Sequence, residues 1–435
     1  MRTSSLGRMP ERVEKSFGWR RLRGGVPRVS SSPPLTLVSR RFKNLFSPLV
    51  MNRFKKILWQ NVPHRTPNNF HCLTEIRYGA WQTNCEAAAM APRKPYTQLI
   101  DGVPRDPNYD AELFRSSLNF RAGSGDLVLH TYPKSGTHLL LYIVQCILNK
   151  GEGARTYEEF AESTRLLGGM DFADWRPPLP LRLFSTHLPP QRSTINAQAK
   201  YVYLARNPWD VCVSLFHMVT DFSTYRFQDG TFDEFFDDFL EGDAAGHGCY
   251  FDHVASGHAL RHEPHVLFVT YEELLRDTRA VVMTLARFLG EEYAADLQAN
   301  DSIFQKILAS STPDNMRRIL VLDFSRPSSA LFTGESRHGK VKFKVGYESD
   351  SQKYSFVRKG AIGSWKDHFS PDQLRRMEAA IQQVEKKTSA MDLWRDVRKE
   401  AIAATETDKK VKLQSEGDCF EPVASQGSKS TRKNN

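Results

Sequence analysis

Short apolar runs bounded by polar or turn-forming residues recur through the middle of the chain. Residues 126–132, 182–185, 200–205 and 265–270 are rich in Leu, Val, Tyr and Phe without a regular solvent-facing alternation, which predicts strands buried on both faces. Leu139, Leu140, Ile143, Cys146 and Ile147 repeat at helical spacing, as do Leu374, Met377, Ile381 and Val384. Strands alternating with helices predict an α/β fold whose parallel sheet is flanked by helices and collects ligands at its carboxyl ends.

The ends of the chain lack this pattern. Residues 1–90 are rich in Arg, Ser and Pro and show no sustained period. They read as a poorly ordered leader, as an Arg-rich transit segment, or as sequence upstream of a start at Met90. Residues 400–435 have few large apolar side chains and are expected to form a solvated tail. One domain is expected between them, over 91–399.

Composition sharpens this reading. With 435 residues, 40% apolar and 25% charged, the chain is long enough to bury a large core, which excludes a wholly disordered or fibrous protein. The net charge of +10 is local: residues 1–56 carry 14 Lys and Arg against Glu11 and Glu14, and the remainder has 46 basic and 48 acidic residues. Overall charge therefore gives no case for a nucleic-acid partner. The longest apolar stretch, 139–148, is broken by Gln145 and is too short to span a bilayer. The six cysteines form no Cys-x-x-Cys pair or secreted disulfide framework, which suits a reducing, cytoplasmic compartment.

Three segments carry candidate chemistry. The strand at 126–132 runs through Pro133-Lys134-Ser135-Gly136-Thr137 into the helix that follows. Free backbone N–H groups at the helix start, Gly136 and the Lys134 cation together suit a phosphate or sulfate group. The loop resembles a nucleotide loop, but it lacks the earlier Gly of the NTPase pattern and no strand ends in an Mg²⁺-binding Asp. The strand at 200–205 leads into Arg206-Asn207-Pro208-Trp209-Asp210. Asn207 suits the N-cap, Pro208 the first helical position, and Asp210 a capping-box-like partner. Ser214, almost two turns on, can share a ligand with Arg206. The third segment, Arg358-Lys359-Gly360 with Gly363 and Trp365, offers a guanidinium fork and an open backbone amide. Taken singly, each also fits an ordinary cap, surface charge or turn.

In this order and spacing, Tyr132–Thr137, Ser185-Thr186-His187-Leu188-Pro189, Arg206–Val211 with Ser214, and Arg358-Lys359-Gly360 resemble the cytosolic sulfotransferases across about 95–399. The resemblance implies metal-independent transfer of a sulfuryl group from 3′-phosphoadenosine 5′-phosphosulfate to a hydroxyl or amine of a small acceptor. It assigns Lys134, Ser135, Gly136 and Thr137 to the phosphosulfate, with His138 and Leu139 beside them on the nucleotide side. Arg206, Ser214, Arg358, Lys359 and Gly360 are assigned to the 3′-phosphate, Tyr271 and Phe304 to adenine, and Ser302 to the nucleotide site. His187 would be the general base, and Lys134 would stabilise the leaving phosphate.

The sequence also departs from the family. His138-Leu139 replaces Thr-Trp, removing a stacking ring, and Ser185 replaces a Lys before Thr-His. Lys366, Ser370, Pro371 and Arg375 alter the dimer motif, which weighs against a homodimer built by that route. The acceptor, expected to be an apolar alcohol, phenol or aryl amine, would meet the loops 157–180, 222–248 and 319–356. His247, Cys249, His253, His258, His262 and His265 crowd one segment, with His258 and His262 four apart on an expected helix. No His-Glu-x-x-His or paired-Cys pattern accompanies them, and no metal is expected. A Mg²⁺-dependent kinase and a nucleotide-binding module without turnover are the rival classes.

Overall fold

The computed structural model describes residues 93–323 and 353–417. A hairpin of β1 (Gln98–Ile100) and β2 (Val103–Arg105) precedes the central sheet. That sheet contains β3 (Asp126–Thr131), β4 (Thr164–Leu166), β5 (Arg182–Thr186), β6 (Lys200–Ala205) and β7 (Val266–Thr270), in the order β4-β5-β3-β6-β7 and all parallel. The α/β expectation holds, and four of the five strands fall where the apolar runs place them. The short β4 was not anticipated, because three residues are too few to show a period.

Alternating side chains feed different parts of the core. Leu127, Leu129, Leu183, Val202 and Leu204 pack with the helix Thr137–Leu148 on one face. Val128, Phe184 and Tyr201 enter a second cluster, and Tyr203 and Ala205 pack with the helix Pro208–Asp221 in a third. Burying both faces is what makes the strands read as continuous apolar runs. At the amino ends of β3 and β5, Arg182 makes a two-pronged contact with Asp126, at 2.7 and 2.8 Å.

Crossing from β3 to β5 on one side and to β6 on the other opens a crevice at the strands' carboxyl ends. The three expected ligand loops all meet there. A final pair, β8 (Val321–Asp323) and β9 (Lys353–Ser355), leads into the third of them.

Three expectations need correction. The helix after Asn207 continues to Asp221, beyond the expected end near Met218. The C-terminal helix Arg395–Gly417 crosses residue 400, where the tail was expected to begin. Val397 and Ala401 are buried against the Trp394 region, and this anchor lets the following Ala, Glu and Lys residues stay helical. The helix Tyr250–Ala259 ends before His262, so His258 and His262 do not share it. The leader 1–90 and the end of the tail, 418–435, lie outside the described residues. Among the described residues no helix is long and apolar enough to cross a membrane.

Candidate active site

The turn after β3 is shaped by unusual backbone angles. Lys134 has φ of 68° and Gly136 has φ of 108°, the left-handed region that glycine tolerates best. Gly136 is the N-cap of the helix Thr137–Leu148, and a Cβ there would lie 2.7 Å from the Tyr271 ring. The loop is thus pressed against the residue that follows β7. The helix start has no side-chain cap, so its first N–H groups remain available to an anion.

Arg206 joins the motifs. Its guanidinium donates to the Lys134 and Ala361 carbonyl oxygens, each at 3.1 Å, and stacks 4.4 Å from the centre of the Tyr271 ring. Its own carbonyl accepts from the Tyr250 hydroxyl. Asn207 caps the helix Pro208–Asp221 as expected, accepting from the Asp210 N–H at 2.8 Å. The capping-box reading of Asp210 is corrected: the Asn207 N–H donates to Glu272 at 3.0 Å, leaving the Asp210 carboxylate for another task. Asp210 accepts from the Gly363 and Trp365 N–H groups, the Ser364 hydroxyl and the Asn207 amide, at 2.9 to 3.2 Å. A buried carboxylate therefore fastens the third basic loop to the second.

These loops surround a cavity of about 220 Å³. Lys134, Gly136, Thr137, His138, Leu139, Arg206, Ser214, Tyr271, Arg358, Lys359 and Gly360 line it, together with Ser185 and His187. Ser135 is buried and is not among the lining residues. Ser135 Oγ and Arg206 Nε are buried without a protein partner, which fits a polar ligand held at this end. Lys134 donates to the Tyr354 hydroxyl at 3.3 Å. Burial lowers its pKa to about 8; Asp221 opposes the shift, and Arg206 and Arg358 add to it. Lys359 pairs with Asp367 at 2.7 Å, and Arg358 donates to Ser364 at 3.2 Å.

His187 follows β5 and lines the same cavity. Its Nδ1 is 2.9 Å from the Thr131 carbonyl oxygen and 3.2 Å from the Thr131 hydroxyl, which itself lies 2.8 Å from the Thr137 hydroxyl. A carbonyl only accepts, so Nδ1 carries the proton and Nε2 keeps its lone pair. Burial, and next the His247 ring, lower the pKa to about 4, so the imidazole is neutral at pH 7.

Two residues expected at the nucleotide, Ser302 and Phe304, do not line the cavity. Phe304 is buried in the core under Arg279, and exposed Ser302 bonds to Asn300. Ser311, Pro313 and Met316 line the wall in their place. Thr312 caps the next helix and Pro313 opens it, a start signal readable in Ser311-Thr312-Pro313. His138 stacks on Phe356, centroids 4.2 Å apart, and Phe356 stacks on Tyr157. The sequence reading also missed Asp106, Asn108 and Tyr109, which the β1–β2 hairpin delivers to the cavity, and weighed His247, a further lining residue, only as a metal ligand. The crowded histidines disperse: His253 bonds to Tyr203 and His258 sits by Arg261, and among the described residues no group of three metal-binding side chains forms.

The sulfotransferase domain family matches residues 124–392, well over half of the chain. The protein belongs to the sulfotransferase domain family. It is accordingly a transferase of the sulfotransferase class. Rat (Rattus norvegicus) Sulfotransferase 1C2 is 29% identical over 315 residues, covering 68% of this chain and 95% of that protein. Human (Homo sapiens) Sulfotransferase 2B1 is 29% identical over 263 residues, or 59% of this chain and 64% of that protein. The crystal structure of mouse sulfotransferase SULT7A1 complexed with PAP aligns with 72% of this chain and 99% of that one, at 24% identity and a TM-score of 0.49. Within this sulfotransferase, the motif loops at 132–137, 206–214 and 358–363 and the histidine after β5 all lie inside the matched residues.

Proposed function

We propose that the protein transfers a sulfuryl group from 3′-phosphoadenosine 5′-phosphosulfate to a hydroxyl or amine of a small, apolar or phenolic acceptor, with His187 as base. The observation that carries this reading is the His187 tautomer: Nδ1 is committed to the Thr131 carbonyl, so an unprotonated Nε2 belongs to the same cavity as three cationic loops.

In this reading Lys134, Ser135, Gly136 and Thr137 hold the phosphosulfate, using the helix N-terminus and the Lys134 charge. Arg206, Ser214, Arg358, Lys359 and Gly360 hold the 3′-phosphate. Tyr271, Ser311, Pro313 and Met316 flank the adenine, with Leu139 opposite. Tyr109, Phe160, Leu166, Met170 and Phe222 give the acceptor end an apolar lining, which supports a small hydrophobic acceptor.

The step balances without a redox partner. The acceptor's O–H or N–H proton passes to His187 Nε2 as the acceptor atom bonds to sulfur. The bond from sulfur to the bridging phosphate oxygen breaks, and its electron pair leaves on adenosine 3′,5′-bisphosphate. Lys134 offsets the negative charge growing on that phosphate. No metal role is proposed, and a cytoplasmic location belongs to the same reading.

Calorimetric titration of the protein with adenosine 3′,5′-bisphosphate in EDTA tests the donor site. Micromolar or tighter binding is expected, weakened at least about tenfold by Arg206→Ala. Undetectable binding by the folded wild type would overturn the proposal.

A further inference from the structure

We propose that His247, held by Asp106, orients the acceptor by taking a hydrogen bond from a second O–H or N–H group next to the reacting one. This inference rests on the donor and base reading above and adds an acceptor-specificity residue to it.

The pair is built into the fold. Asp106 follows β2 and is buried; its Oδ1 accepts from the Asn108 backbone N–H and side-chain amide, both at 2.8 Å. Its Oδ2 accepts from the Tyr225 hydroxyl at 3.0 Å and lies 3.3 Å from His247 Nε2. That nitrogen is buried and, beyond this 3.3 Å approach to the carboxylate, makes no aligned hydrogen bond. Burial raises the Asp106 pKa, but His247, Asn108 and Tyr225 outweigh it, so the carboxylate is ionised.

The backbone makes this meeting obligatory. Gly246, with φ of 80°, packs so tightly on β2 that a Cβ would lie 2.3 Å from the Arg105 carbonyl carbon. The turn carrying His247 therefore rests directly on the strand end that carries Asp106. The His247 ring is then fixed edge-on to His187, Tyr109 and Tyr132, with centroids 6.0, 6.4 and 6.4 Å away.

A carboxylate at Nε2 keeps the proton on that nitrogen and makes Nδ1 the lone-pair side, a control one group exerts on a neighbouring imidazole. His187 is set the opposite way by the Thr131 carbonyl. The cavity thus contains two adjacent imidazoles, each with one lone-pair nitrogen, alongside the apolar side chains Tyr109, Phe160, Leu166, Met170 and Phe222. One takes the reacting proton. The other rewards a second donor on the same small molecule, and a buried acceptor left unpaired penalises an acceptor that lacks one.

The test compares an aryl diol with its mono-O-methyl ether as ligands of the full-length protein saturated with adenosine 3′,5′-bisphosphate, read by calorimetry so that turnover is not required. The diol should bind about tenfold more tightly. His247→Phe should bring the ratio near one, His247→Gln should restore part of it, and Asp106→Asn should lower it. An unchanged nucleotide titration certifies that each variant is folded. A wild type without preference for the diol, or a preference that survives His247→Phe, would overturn the inference. Loss of nucleotide binding in the wild type would instead overturn the donor reading.

Discussion

The carboxylate of Asp210 accepts from the Gly363 N–H at 2.9 Å, joining the helix that starts behind Arg206 to a loop 153 residues later. The same carboxylate lies 3.7 Å from the Arg206 guanidinium. Three cationic segments converge because this buried anion and Arg206 tie them together. Asp210→Ala would strand buried donors and an unpaired guanidinium, a loss of roughly 3–5 kcal/mol. Thermal unfolding should show a large drop in midpoint, together with weakened nucleotide binding. A midpoint equal to wild type would contradict this account of the loop.

Gly136 has a separate duty. Gly136→Ala would place a methyl 2.7 Å from the Tyr271 ring in a backbone region that disfavours alanine. The turn must move, and nucleotide affinity should fall by more than about tenfold, as read by titration. Affinity unchanged within twofold would mean that the close approach is unimportant.

Lys134 predicts a pH dependence of donor binding. Its pKa is lowered to about 8, chiefly by burial. The charged form prevails below that pH and favours an anionic ligand, so affinity should be highest below pH 8 and fall as pH rises through it. The decline can approach about tenfold per pH unit if the neutral form does not bind. Lys134→Arg stays charged and should flatten it. Titrations of adenosine 3′,5′-bisphosphate between pH 6.5 and 9.5 decide the point, and a flat wild-type profile would contradict it.

Buried histidines predict acid sensitivity of the fold. Burial lowers His130 and His187 to about 4, and His138 and His253 to about 3. An unfolded histidine takes up its proton near 6.5, so the unfolded chain gains protons first as the solution is acidified. The stability contributed by these neutral rings is complete above pH 6.5 and is lost as pH falls towards 4. The unfolding midpoint should therefore decline steadily from pH 7 to 5, before most carboxylates titrate. A constant midpoint across that window would contradict the burial of these rings.

The sequence made the sheet and the cationic loops legible for a physical reason. Strands such as β3 and β6 must be apolar on both faces, and anion loops at strand ends combine Gly, Lys and Arg in a short span. Asp106 and His247 were not legible, because their meeting depends on the Gly246 turn packing on β2, a contact without periodicity. Ser302 and Phe304 present a different case, since neither lines the cavity. An aromatic residue on a helix with a two-sided apolar pattern fits core and ligand wall equally, and the packing of Phe304 under Arg279 selected the core. Asp210 looked like a cap because a cap and a long-range anchor use the same residue at the same place.

The measurement that tests the central claim most directly is sulfuryl transfer from radiolabelled 3′-phosphoadenosine 5′-phosphosulfate to a panel of small phenols and alcohols, comparing wild type with His187→Ala. Transfer by the wild type is expected to fall by about 10² to 10⁴ in the variant, while adenosine 3′,5′-bisphosphate binding is retained. A His187→Ala protein that transfers as fast as wild type would contradict the assignment of His187 as base, and a folded, nucleotide-binding wild type that transfers to none of the panel would contradict the proposed acceptor class.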